Sequence, residues 1–267
     1  MSHRGLHGLR ALHTEIDPIL ESLTAEEWTA PSACSGWRVQ DVVAHLAATM
    51  KLFVDPDPPS GVTPTGAEHA AELAVAPRKG WTASEVLAEF HRYRDGFFGF
   101  LSAAQDEPLA SNVIDLGDLG AHPMAMFSDV FCFDHYCHVV FDICAPHGPV
   151  ERTPPTPVDD VLRPAADWMF AGLPAMCASA LAAAGLDRVL NVVLTGPGAG
   201  EWQLSPVADD GSTTVTTGTS TDAAATVTSS AHNFVSWGTK RSDWRASATV
   251  VGDAAWAAPI LDAINII

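Results

Sequence analysis

Apolar residues near the N-terminus recur with a helical period. Leu9, Leu12, Ile16 and Leu20 lie three or four apart, which predicts an amphipathic helix over residues 5–23. Thr24 is followed three residues later by Glu27, the form of a capping box. Residues 37–50 (WRVQDVVAHLAATM) place Val39, Val42, Val43 and Leu46 on one face of a second helix. The proline-rich run DPDPPSGVTPTG (55–66) cannot be helical throughout. A third long helix is expected over 82–104, with Thr82 and Ser84 as candidate caps and Glu85 against the positive end of the helix dipole. An Asp- and Gly-rich loop (105–120) leads to a fourth helix over 122–144. Four long helices in succession predict an up-and-down four-helix bundle.

The pattern changes after HGPVERTPPTPVDD (147–160), whose prolines and glycine mark a domain boundary. Residues 1–150 are expected to form the bundle and 151–267 a smaller α+β domain. The second begins with a linker helix at about 158–184. RVLNVVLTG, EWQLSPV, STTVTTG and AAATVTS follow as short Val- and Thr-rich strands between turn residues. A short helix (230–237), a strand (247–252) and a final helix (253–264) complete it, making the fold class α+β overall.

Composition narrows the partners. The chain has 267 residues, 47% of them hydrophobic, enough for a buried core. Thirty-two acidic residues against fourteen basic ones give a net charge of −18, which repels nucleic acid and anionic membrane surfaces. There is no run of 18 apolar residues, and the first twenty residues are too polar for a secretory signal, so a soluble cytoplasmic protein is expected. The oligomeric state is not encoded in any pattern. Cys34, Cys132, Cys137, Cys144 and Cys177 are odd in number and include no CxxC pair, so they read as small buried hydrophobes. No G-x-S-x-G elbow, P-loop or dinucleotide-binding glycine motif is present.

The candidate chemistry lies in FCFDHYCHVVFD (131–142). On a helix Asp134, His138 and Asp142 form one stripe, open to three readings: a metal site, a polar seam or a solvated face. His135 points about 100° round the helix from Asp134, which leaves it behind a ligand set or on the surface. Asp142 either orients His138 or is a solvated charge at the helix end, the simpler expectation.

LTAEEWTAPSACSGWRVQDVVAHLA (23–47) resembles the N-terminal signature of the mycothiol-dependent maleylpyruvate isomerase family, within the DinB-like bundle superfamily. The resemblance rests on Trp28, the turn Cys34–Trp37 and the run His45–Ala47, and the tail around Trp237 and Gly238 resembles the family's sterol-carrier-like second domain. It implies a divalent metal, usually zinc, held by His45, Asp134 and His138, with Asp134 standing where the family has Glu. The shorter side chain requires either closer helices or a bridging water. The resemblance further implies mycothiol as cosubstrate. Its thiol would bind the metal as thiolate and attack a small electrophilic metabolite, in a thiol transferase or a cis–trans isomerase. The family's Trp-Gly-Arg is Trp-Gly-Thr here, with Thr239 in the Arg position, so Lys240 and Arg241 become the candidate cosubstrate-binding residues and no catalytic residue is assigned. Cys34, at a helix start, is a possible nucleophile, but the simpler reading packs it beneath Trp37. Two other functions remain open: a small-molecule or lipid carrier with a vestigial metal site, and a metal-dependent hydrolase in which water replaces the thiol.

Overall fold

The computed structural model describes residues 3–57 and 61–267; the centre of the proline-rich break, 58–60, lies outside the described residues. The chain divides into two compact units, Met1–Gly117 with His122–Thr156, and Asp118–Ala121 with Pro157–Ile267.

The first unit contains α1 (Arg4–Glu21), α2 (Ala25–Thr29), α3 (Val39–Val54), α4 (Ala67–Val75), α5 (Ala83–Ala103) and α6 (Phe127–Cys137), which runs on into a π-helical turn, His138–Ile143. Helix α1 packs on α5 and α6, while α3 packs on α5 and the π turn. The stripe predicted on α1 is the buried one: Leu9, Leu12, Ile16 and Leu20 are at most 1% exposed. Each such side chain stabilises the bundle by about 2 kcal/mol. Both predicted caps form. Thr24 Oγ1 accepts from the Glu27 N–H at 3.2 Å while Glu27 accepts from the Thr24 N–H at 2.8 Å. Thr82 and Glu85 repeat the exchange at 3.3 and 2.7 Å.

Two expectations need correction. The fourth helix starts at Phe127 rather than 122, because His122 sits in a short strand, β2 (Ala121–Pro123), paired with β1 (Val113–Asp115) in the segment read as loop. Pro123 also disfavours helical backbone at the residue before it. Helix α4 was not foreseen; Val75 is its one buried residue, so it carries no apolar stripe.

The second unit is α+β. Helix α7 (Asp159–Ala183) is followed by β3 (Leu190–Thr195), β4 (Gly200–Leu204), β5 (Val215–Thr217), β6 (Ala225–Ser230), α8 (Ala231–Gly238), β7 (Ala248–Gly252) and α9 (Ala254–Ala263). The sheet order is β5-β4-β3-β6-β7, with β3 and β6 parallel and the other neighbours antiparallel. Strand β6 alternates buried Ala225, Val227 and Ser229 with more open positions, the period of a sheet covered on one face. Phe170 of α7 stacks on Trp202 of β4 and Phe234 of α8, with centroids 4.3 and 4.8 Å away. Helix α7 is long and apolar enough to cross a membrane, yet half of its most apolar stretch is buried within the protein, as in the core helix of a globular domain.

Candidate metal centre

The first candidate ligand is delivered by a tight turn. Gly36 adopts φ +80°, a conformation that favours glycine, and lets the Trp37 N–H reach the Cys34 carbonyl at 3.1 Å. The Arg38 N–H then donates to Asp41 Oδ2 at 2.9 Å, and the Arg38 guanidinium to the same carboxylate at 2.9 and 3.0 Å. This fixes the first turn of α3. One turn further on, on the same face, stands His45, its ring 5.5 Å from that of Trp37.

Helix α6 and the π turn that continues it supply the rest. Asp134 and His138 are four apart, and both meet His45. Asp134 Oδ1 lies 3.2 Å from His45 Nε2 and 3.5 Å from His138 Nε2. Donor atoms of His45, Asp134 and His138 all lie within 4.8 Å of one another. Ligands about 2.0–2.1 Å from a tetrahedral zinc stand roughly 3.3 Å apart along its edges. The 3.2 and 3.5 Å separations bracket that edge. Asp134 Oδ2 and His45 Nδ1 are buried and have no hydrogen-bond partner, so the carboxylate retains acceptor capacity. Imidazole nitrogens with one carboxylate oxygen are a donor set suited to zinc and to neighbouring divalent ions. The shorter Asp134 reaches the two histidines directly, with the helices close enough that its missing methylene leaves no gap.

Asp142 overturns its expected solvation. It is 1% exposed, and its Oδ2 accepts from His138 Nδ1 at 2.7 Å. The cause is the backbone: the π turn draws the helix end inward, where the Asp142 carbonyl accepts from the Ala33 N–H at 3.0 Å. This contact also brings the Cys34 turn alongside. Cys34 is half-buried, its Sγ within 4.8 Å of donor atoms of His138 and Asp142, and it adds a hydrogen bond to His138. It therefore faces the histidine rather than serving only as packing for Trp37.

The charges are coupled. Burial alone would raise the Asp134 carboxyl, but the charge of His45 and hydrogen bonds from His138 and His45 hold it well below the usual carboxylate range. Burial pulls His138 down, but hydrogen bonds to Asp134, Asp142 and Cys34 outweigh it and leave its pKa well above the usual value. A proton and a metal ion therefore compete for His138 Nε2.

His135 is fully buried, which removes the surface alternative. Its Nδ1 lies 2.8 Å from Nε2 of His13, a residue the sequence reading passed over. The signal was present: His13 falls four residues after Leu9 on the apolar stripe of α1. Burial lowers both rings, His135 to about 4 and His13 well below its ordinary value.

Lys240 and Arg241 belong to the second unit, after α8, whereas the donor set is complete within the first. Lys240 Nζ donates to the Asp262 carbonyl at 2.6 Å, and the Arg241 N–H to the Ser236 carbonyl at 2.9 Å. Thr239 is buried, its hydroxyl donating to the Val235 carbonyl at 2.7 Å.

The family model described as the mycothiol maleylpyruvate isomerase N-terminal domain matches residues 9–132. The N-terminal domain belongs to that family. The match includes His45 and stops two residues short of Asp134, so the Asp134–His138 pair rests on the geometry above. No curated protein matches the chain. Two crystal structures, of the mycothiol-dependent maleylpyruvate isomerase and of a point mutant of it, align with 92% of this chain and 91% of theirs. Their TM-score is 0.56 at 14% identity, a likeness of fold across both units.

Proposed function

We propose that this protein is a metal-dependent enzyme that uses a low-molecular-weight thiol, mycothiol, as a nucleophile toward a small electrophilic metabolite, as a transferase or an isomerase. The observation that carries the reading is Asp134 Oδ1 standing 3.2 Å from His45 Nε2 and 3.5 Å from His138 Nε2, two separations close to a tetrahedral edge. Those three atoms would hold the ion. A divalent cation there lowers the pKa of a bound thiol and makes it a nucleophile at neutral pH.

The chain's own residues prepare the site. Asp142 takes the Nδ1–H of His138 and so aims the Nε2 lone pair at the donor set. Asp134 brings the negative charge that favours a cation. The side chains of His45 and Asp134 remain 13% and 20% exposed, which leaves one side of the set open to a small thiol. Lys240 and Arg241 are the basic residues we assign to an anionic group of the cosubstrate or substrate. None of the five cysteines is in a disulfide, which is compatible with a thiol kept reduced as a cosubstrate.

The test is metal content by elemental mass spectrometry on protein purified without a metal-affinity tag, followed by thiol-dependent consumption of candidate electrophiles. Wild type is expected to carry about one ion per chain, and Asp134→Asn to lose ion and turnover together while keeping its circular dichroism. Thiol-dependent turnover by metal-free protein would overturn the proposal. Turnover without added thiol would convert it to a hydrolase.

A further inference from the structure

Behind the donor set lies a pair of histidines that the proposed chemistry does not use. His13 and His135 are 2% and 0% exposed and sit among aromatic rings. His13 stacks on Phe90 at 5.3 Å and meets the edge of Phe98 at 5.1 Å, while Phe97 and Phe131 flank His135 at 6.4 and 6.1 Å. Phenylalanine would fill such a place without polar atoms, and each unsatisfied buried polar atom costs about 1–3 kcal/mol. Two imidazoles there require a reason.

The reason lies in two unpartnered atoms. His135 Nε2 has no hydrogen-bond partner, and neither has Asp134 Oδ2, the carboxylate oxygen turned away from His45. They are 3.9 Å apart. That is too close for a bridging water and about 1 Å longer than a direct bond, so the contact requires the carboxylate to turn toward His135. We propose that His13 and His135 form a positioning relay that fixes Asp134 as a one-oxygen metal ligand: His13 Nε2–H donates to His135 Nδ1, and His135 Nε2–H donates to Asp134 Oδ2.

The direction follows from the carboxylate. A neutral imidazole has one N–H, and a bare His135 Nε2 would set lone pair against lone pair at Asp134. The proton therefore belongs on Nε2. His135 Nδ1 is then an acceptor, and the 2.8 Å contact requires the N–H on His13 Nε2. One buried negative charge thus sets the tautomer of both rings, and the stacked aromatics keep either from turning. With Oδ2 engaged, Oδ1 is the oxygen presented to His45 and His138. His13 and His135 touch no substrate in this arrangement, so they are positioning residues.

The inference rests on the metal reading, and its test separates the two. Zinc affinity of the full chain is measured by competition with a chromophoric chelator, beside the visible spectrum of the Co(II)-loaded protein and the circular dichroism of each variant. His135→Phe is expected to weaken zinc about 10–100-fold and to alter the Co(II) bands, as losses behind a ligand do. His135→Gln, which can place an amide N–H near Nε2, should retain affinity within about threefold of wild type. His13→Phe should fall between the two. A folded His135→Phe with wild-type affinity and an unchanged Co(II) spectrum overturns the relay. If that variant does not fold, His13→Phe decides, since wild-type affinity and spectrum there overturn it equally. Wild-type protein that takes up neither zinc nor cobalt overturns the metal reading, and the relay with it.

Discussion

Substituting Asp142→Asn keeps the shape of the side chain and removes its charge, and the consequence for His138 can be worked through. Asp142 Oδ2 lies 2.7 Å from His138 Nδ1 in a place that is 1% exposed. An amide oxygen still accepts that N–H. A hydrogen bond to a charged group is worth about 1.5–3 kcal/mol against about 1 for a neutral one, so about 1–2 kcal/mol is lost. In the metal-free protein that loss falls on protonated His138, whose raised pKa depends in part on Asp142. The histidine should titrate roughly one unit lower, at about 1.4 kcal/mol per unit. In the metal-bound protein the same loss reduces the basicity of Nε2 and its hold on the ring, at about 10–100-fold in affinity. The two effects oppose each other below the pKa of His138, where a proton must leave before the metal enters, and the variant's proton leaves more readily. Above that pKa no proton competes. The affinity deficit of Asp142→Asn should therefore be largest at alkaline pH and shrink toward acid. The assay is zinc competition across a pH series, with 15N NMR of the metal-free histidines to locate the titration. Unchanged affinity at the alkaline end, or a deficit that grows toward acid, would refute the reasoning.

The first unit, stripped of metal, should lose stability as pH falls from 6.5 toward 4, because His135 has its pKa lowered from 6.5 to about 4 and the unfolded chain takes up that proton first. The loss reaches about 3 kcal/mol at the acid end, and His13 shifts in the same direction. Denaturant melts at several pH values should show it, with a shallower dependence in His135→Phe; a flat wild-type profile would contradict the burial. In the second unit, Gly198 adopts φ +80°, and an added Cβ would stand 2.7 Å from Leu162 Cβ. Gly198→Ala should cost more than about 2 kcal/mol through left-handed strain plus the clash, and a melt identical to wild type would rule that out.

Elements with an apolar stripe and a cap were legible in the sequence. α1, α3, α5 and α7 fall within a few residues of expectation because their buried faces have the helical period and Thr24 and Thr82 punctuate them. The short Val- and Thr-rich strands of the second unit were legible for the same reason, as β6 alternates buried and open residues. α4 was not, since it buries almost nothing. The start of α6 was displaced by Pro123 and the β1–β2 pairing, a contact between segments that no local pattern announces. In the candidate site, spacing put Asp134 and His138 on one stripe and the resemblance added His45, and the structure brings the three together. Asp142 was misjudged because its burial comes from the Ala33 N–H more than a hundred residues earlier in the chain. His13 lay on a stripe otherwise made of leucine and isoleucine, and its meaning appears only beside His135.

The π turn at His138–Ile143 closes with the Cys144 N–H on the Val139 carbonyl, five residues back, where an α-helix would close on the fourth. One residue has in effect been taken into the helix just after His138, and everything beyond it runs in a different phase from Asp134 and His138. Removing a single residue from 139–141 would take that residue back out and leave Asp142 close to its present direction. Keeping every residue and closing the segment as an ordinary α-helix would instead swing Asp142 round the axis by most of the roughly 100° that one residue spans. The two candidate ligands, Asp134 and His138, and the carboxylate that hydrogen-bonds to His138 are thus written in two phases of the same segment. A substitution that favoured ordinary α-helical closure over 139–143 would rewrite the second while leaving the first as it stands, although it touched neither Asp142 nor His138.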